Sequence, residues 1–174
     1  MTIEFIGTDI RSEKTAIKRV EPSTLAKRVD LSGVESLLDY GSGHGVDAQF
    51  YRDQGVNCSE YDPFYAPFWY DGGSFDVATC AFVLNVIPES SDRIKAIERI
   101  AKHAKTVWIA VRSGKDFNPS WSTYGDGFLT GSGTFQRGFT ASELKDLVSP
   151  FVEIESIEVT RSALYLKGTS KLAT

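Results

Sequence analysis

The stretch Leu37-Leu38-Asp39-Tyr40-Gly41-Ser42-Gly43-His44-Gly45 decides the fold of this 174-residue chain. A short apolar run ends in a carboxylate and is followed by three glycines at alternate positions. The apolar run is typical of a buried strand, and glycines allow a sharp turn and the close approach of a ligand because they carry no Cβ atom. The pattern therefore predicts a nucleotide-like ligand at the carboxyl end of a first parallel strand.

The spacing of the glycines indicates which kind of nucleotide this loop would bind. Dinucleotide sites use G-x-G-x-x-G, but counting from Gly41 the third glycine would fall on Val46. A carboxylate at Asp39 would repel a pyrophosphate and attract an ammonium group. The chain also lacks the G-x-x-x-x-G-K-[ST] phosphate loop. The pattern favours an adenosine-like body with a cationic amino-acid head, and S-adenosylmethionine has both.

A second acidic position supports a nucleoside ligand. Asp62 lies 23 positions after Asp39, at the end of the next apolar segment. This is close to the offset of about 20 residues at which an acidic residue meets ribose hydroxyls in βαβ folds. Glu60 competes for this role, but strand alternation places it one pleat short of the strand end. We therefore predict that Asp62 binds the ribose.

These segments resemble the class I, Rossmann-like S-adenosylmethionine-dependent methyltransferases in residues 39–45, Asp62 and the strand at 75–80. A closer resemblance is to the methyltransferases associated with DNA phosphorothioation clusters. It rests on KTAIKR at 14–19, LDYGSG at 38–43, YDP at 61–63, FVLNVI at 82–87, YGDG at 124–127 and TFQ at 134–136. It extends over most of the chain, from about Lys14 to Leu144. The resemblance implies the fold and the cofactor; the methyl acceptor is not inherited from it.

The predicted cofactor site follows from the glycine loop, the end of the second strand and the following linker. His44 is expected to cover the loop or touch the cofactor rather than to act as a base. Adenine is expected to stack on Phe64 or Tyr65, or to use backbone groups near Ala81 and Phe82. The full set of predicted cofactor-binding residues is Asp39, Gly41, Ser42, Gly43, His44, Gly45, Asp62, Pro63, Phe64 and Phe82.

Composition places the chain among ordinary globular proteins. Its length suits one domain over residues 1–174, with 41% hydrophobic and 24% charged residues. The net charge is −4, which argues against a surface that is basic throughout. Cys58 and Cys80 are expected to be buried thiols, and too few ligands accompany them for a zinc site. With no membrane-length apolar run and no signal-peptide pattern, we expect a cytoplasmic protein without metal. The oligomeric state does not follow from the sequence.

Hydrophobic periodicity predicts an α/β fold, a Rossmann-like sandwich around a mostly parallel sheet. Strands are predicted at 36–39, up to Asp62, at 75–82 and at 106–112, and an antiparallel pair at 151–160 and 163–168 closes the sheet. Helices are predicted at 13–20, from Pro22, at 46–54, at 90–105, where Ile94, Ile97 and Ile100 recur at helical spacing, and from Thr140 to Leu147.

The third βα unit is predicted to be shortened. Only 13 residues separate Asp62 from Asp76, which is too few for a helix and a strand. An aromatic linker at 63–70 takes their place. Its aromatic rings either stack on adenine or cap the exposed edge of the sheet, and the sequence leaves both readings open.

The segment after the 75–82 strand normally faces the transferred methyl group. Asn85 and Pro88 are present there, but Val86 and Ile87 interrupt the Asn-Pro-Pro-Tyr pattern of enzymes that methylate base amines. Cys80 lies within a strand after Thr79, which makes a covalent nucleophile improbable. Asn85 is a candidate for orienting the substrate, with a turn or helix-capping role as the alternative.

A long glycine- and aromatic-rich loop at 113–139 is predicted to lie on the substrate side. Loops of this length without secondary structure are often functional lids, although a disordered surface flap is the alternative. Asp126 is the first candidate for a catalytic proton acceptor, with Asn85 as the second catalytic candidate. Arg112, at a strand end, could bind a substrate anion or be an ordinary surface arginine. The predicted substrate-binding residues are Arg112, Tyr124, Phe135, Gln136 and Arg137.

The N-terminal segment, residues 1–30, is rich in basic residues. Lys14, Lys18 and Arg19 fall at near-helical spacing and either face solvent or contact phosphates or the cofactor carboxylate. This segment and the aromatic loop favour methyl transfer to a nucleobase, nucleotide or DNA as the function. Two alternatives stay open: a small-metabolite methyltransferase, and a non-catalytic cofactor-binding subunit that regulates a partner.

Overall fold

The structure, a computed structural model, describes residues 10–68 and 73–173. These residues form nine strands, which are, in chain order, β1 (Ser36–Tyr40), β2 (Asn57–Tyr61), β3 (Phe75–Ala81), β4 (Ala104–Arg112), β5 (Ser122–Tyr124), β6 (Gly127–Leu129), β7 (Phe135–Gln136), β8 (Val152–Val159) and β9 (Ala163–Ser170). The main sheet has the order β2-β1-β3-β4-β9-β8. Strands β1 to β4 pair in parallel, and β9 is antiparallel to both β4 and β8. The predicted mostly parallel sheet with a closing antiparallel hairpin is confirmed.

Three α-helices accompany the sheet: α1 (Val46–Asp53), α2 (Ser90–His103) and α3 (Ala141–Val148). The helix predicted from Thr140 is present as α3 and begins with a capping box, because Glu143 N donates to Thr140 Oγ1 while Thr140 N donates to the Glu143 carboxylate. In α2, Ile97 and Ile100 are buried as their spacing predicts, but Ile94 is exposed. No described helix is long and apolar enough to cross a membrane.

Both faces of the sheet are covered, since alternate side chains of its central strands point to opposite sides. Leu38 and Ala78 pack in the core on the side of α2 and α3. Their neighbours Leu37 and Val77 pack on the side of α1. This layered arrangement is the predicted sandwich, and it leaves the carboxyl ends of β1 to β4 together at one edge.

The third βα unit is shortened as predicted. Between β2 and β3, the described residues contain only a bridge that pairs Asp62 with Ala66, so β2 is an outer strand of the main sheet. Arg52 of α1 donates to the carbonyl oxygen of Cys58 at this outer edge, from Nε at 3.2 Å and Nη2 at 2.9 Å. Trp69 and Tyr70 of the predicted aromatic linker lie outside the described residues.

The N-terminal segment does not form the helix predicted at 13–20. A 3-10 turn at Ser12–Lys14 is followed by irregular backbone, and a second turn spans Ala26–Arg28. Distant partners hold the segment instead: Arg11 N donates to Gly133 O at 2.9 Å, and Tyr65 Oη donates to Glu13 O at 3.0 Å. We refer to residues 10–24 as the N-terminal strap.

The prediction of an unstructured loop at 113–139 was wrong. This segment contains a three-stranded antiparallel sheet, β5-β6-β7. Buried Arg93 of α2 anchors it, because its Nη1 and Nη2 donate to the two Asp126 oxygens at 2.7 and 2.6 Å. The same side chain donates to the carbonyl oxygens of Ile87 and Pro88. The small sheet is therefore fixed to the segment that follows β3.

Candidate active site

A cavity of about 520 Å³ opens at the carboxyl ends of β1 to β4. Because neighbouring strands lie about 4.8 Å apart, the ends of β2 and β4 are about 14 Å from each other. The cavity extends across this distance, with the glycine loop near its middle and the N-terminal strap along one side. Eight of the predicted cofactor residues line it: Gly41, Ser42, Gly43, His44, Asp62, Pro63, Phe64 and Phe82.

The glycine loop needs its glycines for two physical reasons. Gly41 has φ +78° and a Cβ atom there would overlap the Val83 side chain. Gly45 also has φ +78°, does not line the cavity, and packs against Glu60, whose Oε1 would lie 2.7 Å from an added Cβ atom. Residues with side chains rarely adopt such left-handed backbone. Side chains at these two positions would therefore force the loop away from Val83 and Glu60.

Asp62 sits at the end of β2 and is buried, with one edge on the cavity. Its Oδ2 accepts a hydrogen bond from Gly43 N at 2.9 Å, and its Oδ1 accepts from Phe64 N and Tyr65 N at 2.9 and 3.1 Å. A carboxylate offers about four lone-pair sites, so capacity for a ribose hydroxyl is left. Its competitor Glu60 is paired with Arg52 and does not line the cavity.

Asp39 lies beneath the loop rather than in the cavity lining. Its Oδ1 accepts from Thr79 Oγ1 at 3.1 Å, because the two residues face each other across the β1–β3 pair. Burial, with a further contribution from the charge of Asp47, raises the pKa of Asp39 to about 7. The sequence pattern predicts that this carboxylate attracts a cationic ligand head. The structure instead places Asp39 outside the residues that line the cavity.

Arg19 of the strap brings a positive charge to the part of the cavity beside the glycine loop. It lines the cavity, and its Nη1 donates to Asp47 Oδ1 of α1 at 3.1 Å. The same Asp47 oxygen accepts from Ser23 N at 2.7 Å. Asp47 is buried, and the sequence pattern alone assigned it no role in the site. Arg19 is placed to meet a ligand carboxylate.

Aromatic side chains of the linker lie at the nucleoside end. Phe64 lines the cavity and is half-exposed, whereas Tyr65 does not line it. The Tyr65 ring instead packs 4.4 Å from the His44 ring, measured between centroids. Of the two predicted adenine-stacking residues, the structure thus places Phe64 in position. His44 is both a cover of the loop and a cavity residue.

The backbone after β3 is strained where it meets the cavity. Phe82 has φ +59°, and its N–H donates to Ala110 O at 2.8 Å. A residue with a side chain pays for such a conformation and keeps it only where its surroundings fix it. Residues 81–83 and 85–87 follow this conformation along the cavity wall. Asn85 among them is buried and lines the cavity.

The substrate-side candidates divide into two groups. Arg112, Gln136 and Asn85 line the cavity together. Three candidates do not line it, namely Tyr124, Phe135 and Arg137: Phe135 is fully buried, the Tyr124 ring packs on it edge-on, and Arg137 pairs with Asp126 and Glu143.

Asp126 is poorly suited to the proton-acceptor role predicted for it. It lies outside the cavity lining. Burial raises the pKa of its carboxyl, but hydrogen bonds and charge from Arg93, with charge from Arg137, outweigh burial and hold that pKa below its usual value. Asp116, which the sequence analysis did not single out, does line the cavity. Its position four residues after Arg112 is the sequence feature that could have indicated a pairing of the two side chains.

The residues at this site fit S-adenosylmethionine. The glycine cradle suits a nucleoside and its amino-acid tail, Asp62 suits the ribose, and Arg19 suits the carboxylate. Ser12 and Ser42 line the same cavity, and their hydroxyl oxygens are buried without a hydrogen-bond partner. Such orphaned polar groups are destabilising until a ligand pairs with them. The described residues contain no cluster of three or more side chains able to hold a metal ion.

Comparison with known proteins places this geometry in a family. The family model described as "Methyltransferase domain" matches residues 10–149, most of the chain. No curated protein matches the sequence.

Solved structures share the fold at low sequence identity. The Burkholderia thailandensis 1,6-didemethyltoxoflavin-N1-methyltransferase, bound to 1,6-didemethyltoxoflavin and S-adenosylhomocysteine, is 19% identical with a TM-score of 0.65, over 94% of this chain and 80% of that one. Streptomyces venezuelae DesVI is 13% identical with a TM-score of 0.63, over 84% and 89%. An S-adenosylmethionine-dependent methyltransferase from Clostridium acetobutylicum is 11% identical with a TM-score of 0.55, over 84% and 94%.

The family match covers the strap, the glycine loop, Asp62 and the strand ends that form the cavity. The predicted enzyme class and cofactor are confirmed. The chain belongs to the methyltransferase-domain family and is a class I S-adenosylmethionine-dependent methyltransferase.

Proposed function

We propose that the enzyme methylates a small molecule bound at the ends of β3 and β4. The observation that carries this proposal is the single continuous cavity, in which the cofactor-binding loop and a polar wall formed by Asn85, Arg112 and Gln136 face the same space. A volume of about 520 Å³ falls within the range typical of small-molecule sites.

The chemistry requires orientation above all. When bound, S-adenosylmethionine supplies an activated methyl group on its sulfonium. The residues of this chain would hold the acceptor's lone pair in line with that methyl group, and the glycine loop and Asp62 would hold the cofactor. Holding the acceptor in line can lower the barrier by roughly 7–11 kcal/mol. Asp116 lines the cavity and can take the proton that an N–H or O–H acceptor releases.

The ligands bound to one structural relative support a small methyl acceptor. The Burkholderia enzyme shares the fold and binds 1,6-didemethyltoxoflavin together with S-adenosylhomocysteine. A fold of this kind therefore accommodates a small acceptor beside the cofactor product. Free nucleobases and nucleotides fall within the proposal as small acceptors.

Methylation of DNA is the second candidate, favoured by the resemblance to phosphorothioation-associated methyltransferases and by the basic N-terminal segment. The ion pairs of that segment weigh against it. Four of its basic side chains have carboxylate partners: Arg11 with Glu13, Arg19 with Asp47, Lys27 with Glu21 and Arg28 with Glu158. Neutralised charges release fewer counterions on binding phosphates. In the described part of this segment, Lys14 and Lys18 are the exposed basic residues outside these four pairs.

The two candidates differ in where a labelled methyl group ends. We expect the enzyme, supplied with methyl-labelled S-adenosylmethionine and a cell extract, to label the low-mass fraction and not purified DNA. Asp62→Ala, which lacks the predicted ribose contact, is the matched control and should abolish labelling at limiting cofactor. Label recovered mainly in DNA, with a strong dependence on salt, would reverse the order of the two candidates.

A further inference from the structure

One backbone donor fixes two side-chain amides at the acceptor end of the cavity. The N–H of Arg112 donates to Asn85 Oδ1 at 3.4 Å. Asn85 therefore turns its amino group the other way, and Nδ2 donates to Gln136 Oε1 at 3.2 Å. Since the Gln136 oxygen is used in this bond, its Nε2 group remains as a donor for a ligand. Burial of Asn85, which is 3% exposed, holds this arrangement.

An ion pair stands beside these amides in the same wall. Arg112 Nη1 donates to Asp116 Oδ2 at 2.6 Å and to Asp116 O at 3.3 Å. The guanidinium carbon also lies 5.2 Å from the centre of the Trp121 ring. Arg112 Nε is buried without a hydrogen-bond partner. Both residues line the cavity, so the wall contains a guanidinium and a carboxylate side by side.

The charges of this wall select against an anionic acceptor. Arg112 would attract a carboxylate or phosphate, but Asp116 lies within hydrogen-bond distance of the same guanidinium and repels it. A neutral group that both accepts and donates avoids this repulsion. It can accept from Arg112 and Gln136 and donate to Asp116, which satisfies every polar group of the wall.

The neighbouring wall favours a flat molecule. Phe82 lines the cavity between the glycine loop and the acceptor end. Its ring is held edge-on against Tyr165, with centroids 6.5 Å apart and an interplanar angle of 85°. An aromatic ring fixed in this way suits a planar partner.

We propose, resting on the small-molecule function above, that the methyl acceptor is a neutral planar heterocycle with a cyclic amide or imide edge. The edge carries carbonyl oxygens toward Arg112 and Gln136 and an N–H toward Asp116. Donors and acceptors that match in this way discriminate strongly against a ligand lacking one of them, because a buried polar group is then left unpaired.

The test is a binding comparison that needs no turnover. The protein saturated with S-adenosylhomocysteine is titrated by calorimetry with three groups of planar probes: cyclic imides such as lumazine, their N-methyl derivatives at the imide nitrogen, and quinoline-2-carboxylate. We expect the imides to bind about tenfold or more tightly than the other two groups, as a hydrogen bond to a charged group predicts. Absence of imide binding, or preference for the carboxylate, overturns the proposal.

Variants assign the preference to the wall. Asp116→Asn should weaken the imides about tenfold and leave the N-methyl derivatives unchanged, and Gln136→Glu should weaken both by replacing a donor with an acceptor. Glu155→Gln removes a similarly exposed partner of Lys167 far from the cavity and is the matched control. Equal loss of imides and N-methyl derivatives in Asp116→Asn overturns the assignment.

The two proposals fail in different ways. Labelling of DNA in the transfer experiment contradicts the small-molecule function, whatever the probes do. Labelling of small molecules together with probes that ignore Asp116 and Gln136 contradicts the amide-edge acceptor alone.

Discussion

Arg19 and Asp47 join the N-terminal strap to the first turn of α1 through a hydrogen bond of 3.1 Å. The Arg19 side chain is one-third exposed while that of Asp47 is 3% exposed, so one member of the pair is buried and the other reaches the cavity. An arginine has five N–H donors, and Asp47 uses only one of those of Arg19. The pair orients the remaining donors of Arg19 at the cavity wall.

Arg19→Gln should weaken S-adenosylhomocysteine about tenfold, since a charge-assisted bond to the ligand carboxylate is lost. The affinity for 5′-methylthioadenosine, which has no carboxylate, should not change. Calorimetry with both ligands gives the comparison, and Lys18→Gln, on the same strap, is the control. Equal weakening of the two ligands would show that Arg19 supports the strap and does not contact the carboxylate.

Asp62→Ala should weaken S-adenosylhomocysteine more than tenfold, because the ribose loses a charged acceptor and Gly43 N loses its partner. Glu60→Gln, two positions earlier on β2 and outside the cavity lining, is the matched control and should bind normally. Calorimetry on both variants checks the assignment. Unchanged affinity in Asp62→Ala would remove Asp62 from the ribose site.

The parts of the site that the sequence predicted are those with local causes. The glycine loop follows from its own backbone requirements, as Gly41 shows with φ +78°. Asp62 follows from its position after a strand, and the α3 start follows from Thr140 and Glu143 three residues apart. In each case the residues that set the structure are close together in the chain.

Asp39 should make the free energy of unfolding fall as pH rises, which is the opposite of what a carboxyl group with a lowered pKa does. Its pKa of about 7 in the folded protein lies above the value of about 3.9 in an unfolded chain. The folded protein therefore keeps a proton that the unfolded chain releases, and the stabilising contribution of Asp39 falls as pH rises from about 4 to about 7.

Asp39→Asn removes this titration. The difference in free energy of unfolding between variant and parent should shift in favour of the variant from pH 5 to pH 8, by at most about 3 kcal/mol. Urea unfolding at several pH values measures it. Parallel pH curves for the two proteins would contradict the raised pKa.

Asp126→Asn should lower the free energy of unfolding by about 1–3 kcal/mol, because buried Arg93 loses its charged partner. Methyl transfer at saturating acceptor should be retained, since Asp126 does not reach the cavity. Asp126→Glu should restore much of the lost stability. A transfer rate that collapses in Asp126→Asn while the protein stays folded would restore Asp126 as the catalytic base.

The features that the sequence did not predict depend on partners far away in the chain. The sequence makes Asp126 a catalytic candidate because nothing near it in the chain indicates that Arg93, 33 residues earlier, binds its carboxylate. The spacing of the basic residues in the strap predicts a helix, yet hydrogen bonds to Gly133 and Tyr65 hold its backbone in another conformation. Local patterns contain no information about such contacts, which form only when the fold brings the segments together.

The guanidinium of Arg52 has a consequence beyond the active site. Among the described residues, β2 has a partner strand on one side only, and a strand from another molecule could add to such an outer strand. Arg52 occupies the Cys58 carbonyl oxygen on that side and is itself held by Glu60 at 2.7 Å. A single charged side chain thus occupies an acceptor that an added strand would need, which is one of the ways in which proteins blunt an outer strand.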